Sequence, residues 1–109
     1  MTELIDGIPH IFKEELREIL QGNDASLEVV DVREADEYAE AHIPGVKHVP
    51  MSEISDRFAE FDPGKKYVFV CRSGRRSLHV AKVFQENGFD VLNFKGGMLE
   101  WDGETVSGM

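Results

Sequence analysis

Apolar positions along this chain follow two alternating rhythms. Short runs rich in β-branched and aromatic residues occur at Leu27-Glu28-Val29-Val30-Asp31-Val32, Tyr67-Val68-Phe69-Val70 and Asp90-Val91-Leu92-Asn93-Phe94. They have strand length and little alternation, which suits strands covered on both faces. Weaker strand signals lie around Gly7 to Ile11 and Val46 to Val49. Segments with helical spacing separate them: Lys13 to Gln21, Glu34 to Ala41, Ser52 to Phe61 and Arg75 to Asn87, with a short last helix expected near Gly97. Gly22 and Gly88 stand where helices stop. From Arg75 onward, Val80, Ala81, Val83 and Phe84 share one arc at about 100° per residue, and His79, Lys82 and Glu86 share another. This alternation predicts an α/β sandwich with a mainly parallel sheet.

Length adds that 109 residues fit one domain, expected over 1–109. Charge excludes some partners. Twelve basic against twenty-one acidic residues give −9, the wrong sign for a generic binder of nucleic acid or anionic membrane. No segment approaches the roughly 20 apolar residues of a membrane span. The acidic start, Met1-Thr2-Glu3-Leu4-Ile5-Asp6, has no apolar run of export-signal length. With a single cysteine, this points to a reducing, cytoplasmic setting and excludes an internal disulfide or multi-cysteine metal site. His10, His42, His48 and His79 show no metal-ligand spacing, so neither a metal nor a cofactor is expected.

The chemistry concentrates in one place. In Tyr67-Val68-Phe69-Val70-Cys71-Arg72-Ser73-Gly74-Arg75-Arg76-Ser77-Leu78, a buried strand ends at the lone cysteine, a short polar loop follows, and a helix begins. Ligands of open α/β sheets bind beyond the carboxyl ends of strands. A helix amino terminus, the amides of a glycine-containing loop and three arginines would all favour thiolate over thiol at Cys71. The competing reading is a small buried hydrophobe beside a solvated basic surface. However, two arginines in a first helical turn oppose the helix dipole. A sequence selected only for stability would place acids there, so an anion-binding nucleophile is the stronger reading.

The run Cys71-Arg72-Ser73-Gly74-Arg75-Arg76-Ser77 resembles the active-site loop of rhodanese sulfurtransferase domains. Two further segments are similar to that family's signatures. One is Asp31-Val32-Arg33-Glu34 with Glu37-Tyr38 and His42-Ile43-Pro44-Gly45; the other is Gly96-Gly97-Met98-Leu99-Glu100-Trp101. The resemblance implies a rhodanese-like sandwich, a five-stranded, mainly parallel sheet flanked by helices on both faces. It further implies a Cys71 persulfide as catalytic intermediate, with Arg72, Ser73, Gly74, Arg75, Arg76 and Ser77 binding substrate. The implied partners are a small anionic sulfur donor such as thiosulfate and a thiophilic acceptor, either cyanide or a cellular thiol on a thioredoxin-like or sulfur-carrier protein. Arg76 is left with two roles, donor binding or tying the loop to the body. The six residues from Cys71 to Arg76 are one fewer than in phosphatases of the same fold. This disfavours a small cysteine phosphatase or arsenate reductase, and the retained cysteine disfavours a non-catalytic binding module. Ala41 and Val46 depart from the family pattern at positions expected to be structural.

Other constellations receive plainer readings. Asp31 and Arg33 are expected to form a structural ion pair, and Glu34, Asp36, Glu37 and Glu40 a solvated helix face. His42 is expected to make hydrogen bonds at a turn, and His79 to point outward. Gly96-Gly97 lacks the Lys-Ser/Thr of a phosphate-binding loop and reads as a tight turn, with Trp101 a core or rim aromatic.

Overall fold

The computed structural model describes residues 2–22 and 24–108. Six strands form one sheet: β1 (Thr2–Ile5), β2 (Ile8–Ile11), β3 (Leu27–Asp31), β4 (Lys47–His48), β5 (Lys66–Val70) and β6 (Asp90–Phe94). Their order across the sheet is β1-β2-β6-β5-β3-β4, with β1 antiparallel to β2 and every other pairing parallel. The expected five parallel strands are therefore present, and a sixth adds a hairpin at the edge. Asp6 (φ 53°) and Gly7 (φ 79°) make its turn. Asp-Gly between apolar residues is a strong hairpin signal, because tight two-residue turns need positive φ at both central positions.

Three helices complete the layers: α1 (Lys13–Gln21), α2 (Ala35–Glu40) and α3 (Arg75–Glu86). Alternate residues of β5 build the two cores. Tyr67 and Phe69 face α3, where they meet Val80, Ala81, Phe84, Phe89 and Val91. Val68 and Val70 face the opposite way, towards Leu16 of α1, Ile11, Ile43 and Phe94. Within α3, Val80, Ala81 and Phe84 are buried while His79, Lys82 and Glu86 are exposed, the phase that the spacing predicts.

The segment Ser52 to Phe61 is not the expected helix. It folds as two 3-10 turns, Met51–Glu53 and Phe58–Glu60, joined by further turn. Met51, Ile54, Phe58 and Phe61 still pack on the α3-side core, because their spacing satisfies successive 3-10 turns as well as an α-helix. Arg57, at φ −105° and ψ 10°, departs from helical geometry between the turns. The last expected helix is likewise a single 3-10 turn, Gly97–Leu99.

Candidate functional site

Cys71 immediately follows β5, which lies between β3 and β6 inside the sheet. Its side chain is fully buried. Two donors reach its sulfur: the Gly74 N–H at 3.1 Å and the Ser77 hydroxyl at 3.3 Å. Gly74 is the residue that caps α3, and it adopts φ 93°, ψ −1°. That left-handed conformation aims its N–H back at the sulfur and suits glycine, which has no Cβ to clash. The first residues of any α-helix have amides without intrahelical acceptors. At α3 those residues are Arg75, Arg76 and Ser77, so the positive end of the helix dipole lies at the Cys71 end of the helix.

The carbonyls of the loop face another partner. Cys71 O accepts the Met98 N–H at 2.9 Å, and Arg72 O accepts the Leu99 N–H at 3.0 Å. The 3-10 turn at Gly97–Leu99 thus clamps the start of the loop. Gly97, at φ 60°, is required there, because a Cβ would collide with both of those carbonyl oxygens. The Gly96-Gly97 pair accordingly makes a tight turn, and that turn braces the cysteine loop.

The arginines fall into two groups. Arg17, Arg33, Arg57 and Arg76 each pair with a carboxylate. Arg72 and Arg75 are exposed, and among the described residues no ion pair or hydrogen bond engages either guanidinium. Arg76 grips Glu37 of α2 with two bonds, Nη1 to Oε1 at 2.6 Å and Nη2 to Oε2 at 2.8 Å. That hydrogen-bonded guanidinium holds the Glu37 carboxyl down at about 2, and Glu37 in turn raises the pKa of Arg76. Of the two roles open to Arg76, the geometry supplies the tie to the body.

Glu37 corrects the reading of Glu34 to Ala41 as only a solvated face. It joins Arg76 on one side and accepts the Glu34 N–H at 3.2 Å on the other. Glu34 binds the Ser52 hydroxyl at 2.7 Å; Asp36 and Glu40 are exposed, as the solvated-face reading requires. The contact between Glu37 and Arg76 spans 39 positions, and nothing in local periodicity signals it.

Asp31 and Arg33 form the expected structural pair, almost entirely buried. The guanidinium meets both carboxylate oxygens and also donates to the Ala41 carbonyl at 2.7 Å, at the end of α2. Tyr38 is stacked between His42 and His48, with ring centroids at 3.7 and 4.0 Å. His42 Nδ1 bonds the Tyr38 carbonyl and His48 Nε2 the Arg33 carbonyl, each at 2.8 Å. These histidines are structural, and the exposed His79 lies away from the sulfur. Trp101 is a half-buried aromatic against the α1-side core, with Arg17 5.5 Å above its ring.

Two shallow grooves flank the loop. One, of about 230 Å³, is lined by Arg33, Glu37, Arg72, Met98 and Leu99 among others. The second involves Phe12, Ser73, Lys95, Gly96 and Glu100. Leu99 at the rim of the first is 61% exposed, unusual for a large apolar side chain in this chain.

The fold has relatives among known proteins. A family model for the rhodanese-like domain matches residues 12–104. The Bacillus subtilis protein YtwF, which carries the name of a sulfurtransferase, is 46% identical over 82 residues, which span 75% of this chain and 80% of that protein. The thiosulfate:glutathione sulfurtransferase of Saccharomyces cerevisiae is 32% identical over 102 residues, covering 81% of this chain and 73% of the yeast protein. Among solved structures, a rhodanese-like domain protein from Staphylococcus aureus superposes with a TM-score of 0.80 at 36% identity, over 87% of this chain and 92% of that one.

Proposed function

Because this chain belongs to the rhodanese-like domain family, we propose that it is a sulfurtransferase that carries sulfane sulfur on Cys71 as a persulfide. The observation that carries this reading is the sulfur of Cys71, buried at the end of a central strand and receiving the Gly74 N–H and the Ser77 hydroxyl. Hydrogen-bond donors directed at a sulfur stabilise negative charge on it, which is what a nucleophile needs before attack and a leaving group needs afterwards.

Transfer proceeds in two displacements. The Cys71 thiolate attacks the outer sulfur of thiosulfate; the sulfur–sulfur bond of the donor breaks, and its electron pair leaves with sulfite. An acceptor then attacks the terminal sulfur of the persulfide, and the bond to Cys71 Sγ breaks to return the thiolate. Cyanide leaves as thiocyanate and a thiolate leaves as its own persulfide. No base is required if donor and acceptor arrive as anions. Arg72 and Arg75 draw the anionic donor to the loop, and the free amides of Arg75, Arg76 and Ser77 receive the charge beside the sulfur. Ser73 and Gly74 shape the cradle. The cellular acceptor is a thiol, on a small molecule or on a thioredoxin-like or sulfur-carrier protein.

Intact mass tests the reading. Thiosulfate should add one sulfur, roughly 32 Da, to the wild type, and cyanide should remove it, because the intermediate is covalent. Cys71→Ser should gain nothing. A wild type that takes up no sulfur, or a serine variant that takes up as much, overturns the proposal. Cys71-dependent hydrolysis of an aryl phosphate that outpaces sulfur transfer would do so equally.

A further inference from the structure

Behind the cysteine loop lies a polar pair that neither the charge pattern nor the sulfur chemistry accounts for. His10 of β2 and Asn93 of β6 are partners in the parallel register and are buried on the α3 side, 3% and 0% exposed. His10 Nδ1 lies 2.9 Å from the Ile8 carbonyl, which only accepts, so Nδ1 carries the proton. The neutral ring then offers Nε2 as an acceptor, and Asn93 Nδ2 sits 3.1 Å away. The same Nδ2 donates to the Gly74 carbonyl at 3.0 Å. Gly74 in turn gives its N–H to the Cys71 sulfur. The donors thus run in one direction, from the Asn93 amide to Gly74 and from Gly74 to Cys71, with His10 fixing which way the amide faces.

This arrangement carries a cost. Asn93 Oδ1 is buried without a hydrogen-bond partner among the described residues. Such an orphan is destabilising, and an apolar pair of similar shape would avoid it. Buried unsatisfied groups of this kind call for an explanation other than stability.

We propose that Asn93 and His10 are positioning residues that hold Gly74 in its left-handed conformation, so that its N–H stays on the Cys71 sulfur during turnover. The inference rests on the sulfurtransferase reading above. Neither side chain touches the reacting atoms; they act through the glycine. Anchoring Gly74 from behind fixes the helix end of the loop, as the bonds to Met98 and Leu99 fix its start.

The test compares wild type with Asn93→Val, His10→Gln and the double variant His10→Val/Asn93→Val. Valine suits both strand positions and roughly conserves volume. Measurements are thiosulfate–cyanide kinetics, the rate of Cys71 alkylation by iodoacetamide, and the urea midpoint. The double variant should unfold near the wild-type midpoint, since the orphaned Oδ1 goes with Asn93 and the Gly74 carbonyl keeps the Leu78 N–H at 3.3 Å. Its kcat should nevertheless fall about tenfold, the effect of losing one well-placed hydrogen bond. Its KM for thiosulfate should hold, because Arg72 and Arg75 are untouched, and alkylation should quicken as the loop loosens. Asn93→Val should lose kcat similarly and also stability, having stranded His10 Nε2. His10→Gln, which presents an acceptor near the place of Nε2, should keep wild-type kcat.

A double variant with unchanged kcat and alkylation rate, or one whose midpoint falls in step with its activity, overturns the inference. If the wild type transfers no sulfur, the functional reading falls instead, and the alkylation rates still decide whether the pair controls the loop.

Discussion

Two neighbouring strands, β3 and β5, both run into loops that lead to helices, and their last residues, Asp31 and Val70, are partners in parallel register. The loop after β3 spends its charge internally: Arg33 is enclosed by Asp31 and by the carbonyls of Glu37 and Ala41. The loop after β5 leaves Arg72 and Arg75 facing solvent and aims amide and hydroxyl donors at a sulfur. The helices that follow the two loops are tied together by the grip of Arg76 on Glu37. Position at the carboxyl end of a strand is therefore not enough to make a site. What separates the loop after β5 from the loop after β3 is polar capacity left unspent.

The comparison breaks most sharply at the cysteine. Cys71→Ser should reduce sulfur transfer to background, because no other residue of the loop offers a thiolate. Its urea midpoint should stay close to that of the wild type, since one atom changes and the donors keep an acceptor. Residual thiosulfate–cyanide activity in that variant would place the nucleophile elsewhere. Gly97→Ala should also disable the loop, because a Cβ there meets the Cys71 and Arg72 carbonyls.

On the closed loop the signs reverse. Arg33→Ala removes one partner of a pair whose members are 7% and 1% exposed, and leaves Asp31 charged and buried. A loss of about 3–5 kcal/mol is expected for such a break, read from urea unfolding. Folded Arg33→Ala protein should still take up sulfur from thiosulfate, since Cys71 and its donors remain. Wild-type stability in this variant would mean that the pair is not the lock described here.

Arg72→Ala and Arg75→Ala should sharpen the contrast from the open side. Each should raise the KM for thiosulfate by roughly fivefold, the scale of a single exposed charge, and leave the urea midpoint alone. Added salt should shrink the difference from wild type, because exposed charges are screened within about 8 Å at physiological ionic strength. Unchanged KM at low salt in both variants would make these arginines mere surface residues.

How much of this was legible beforehand follows from the range of the interactions. β3, β5 and β6 declare themselves through continuous apolar runs, and α3 through its phase, because those signals are local. The loop from Cys71 to Ser77 is contiguous, so the residues that meet at its sulfur could be read directly. The edge hairpin was missed although Asp6-Gly7 marks it, since β1 is short, polar and exposed. Ser52 to Phe61 misled because apolar spacing alone does not separate 3-10 turns from an α-helix. Glu37 and Asn93 were missed for a deeper reason. They reach the loop across 39 and 19 positions, and only the folded sheet brings them there.

The finest test concerns the ion pair that ties α2 to α3. Arg76 holds the Glu37 carboxyl at about 2, against an ordinary 4.5. A carboxyl with a lowered folded-state pKa contributes stability that is fully present above its unfolded value and drains away as pH falls through the folded one. The contribution of the pair should therefore be complete above about pH 4.5 and disappear towards pH 2. Glu37→Gln supplies the reference, since it keeps the shape without the charge. The wild type should exceed it in urea midpoint by a constant margin from pH 7 to 5, and the margin should close between pH 4.5 and 2. Other carboxylates titrate in that window too, but they do so in both proteins and cancel in the difference. The margin should be small, under about 1 kcal/mol, because both side chains are about one-third exposed and solvent screens them. The same substitution should lower kcat modestly, as Arg76 loses its hold on α2 while Gly74 keeps its own anchor. A margin that stays flat down to pH 2, or that grows with acid, would show that the charge of Glu37 does not carry the tie between α2 and α3.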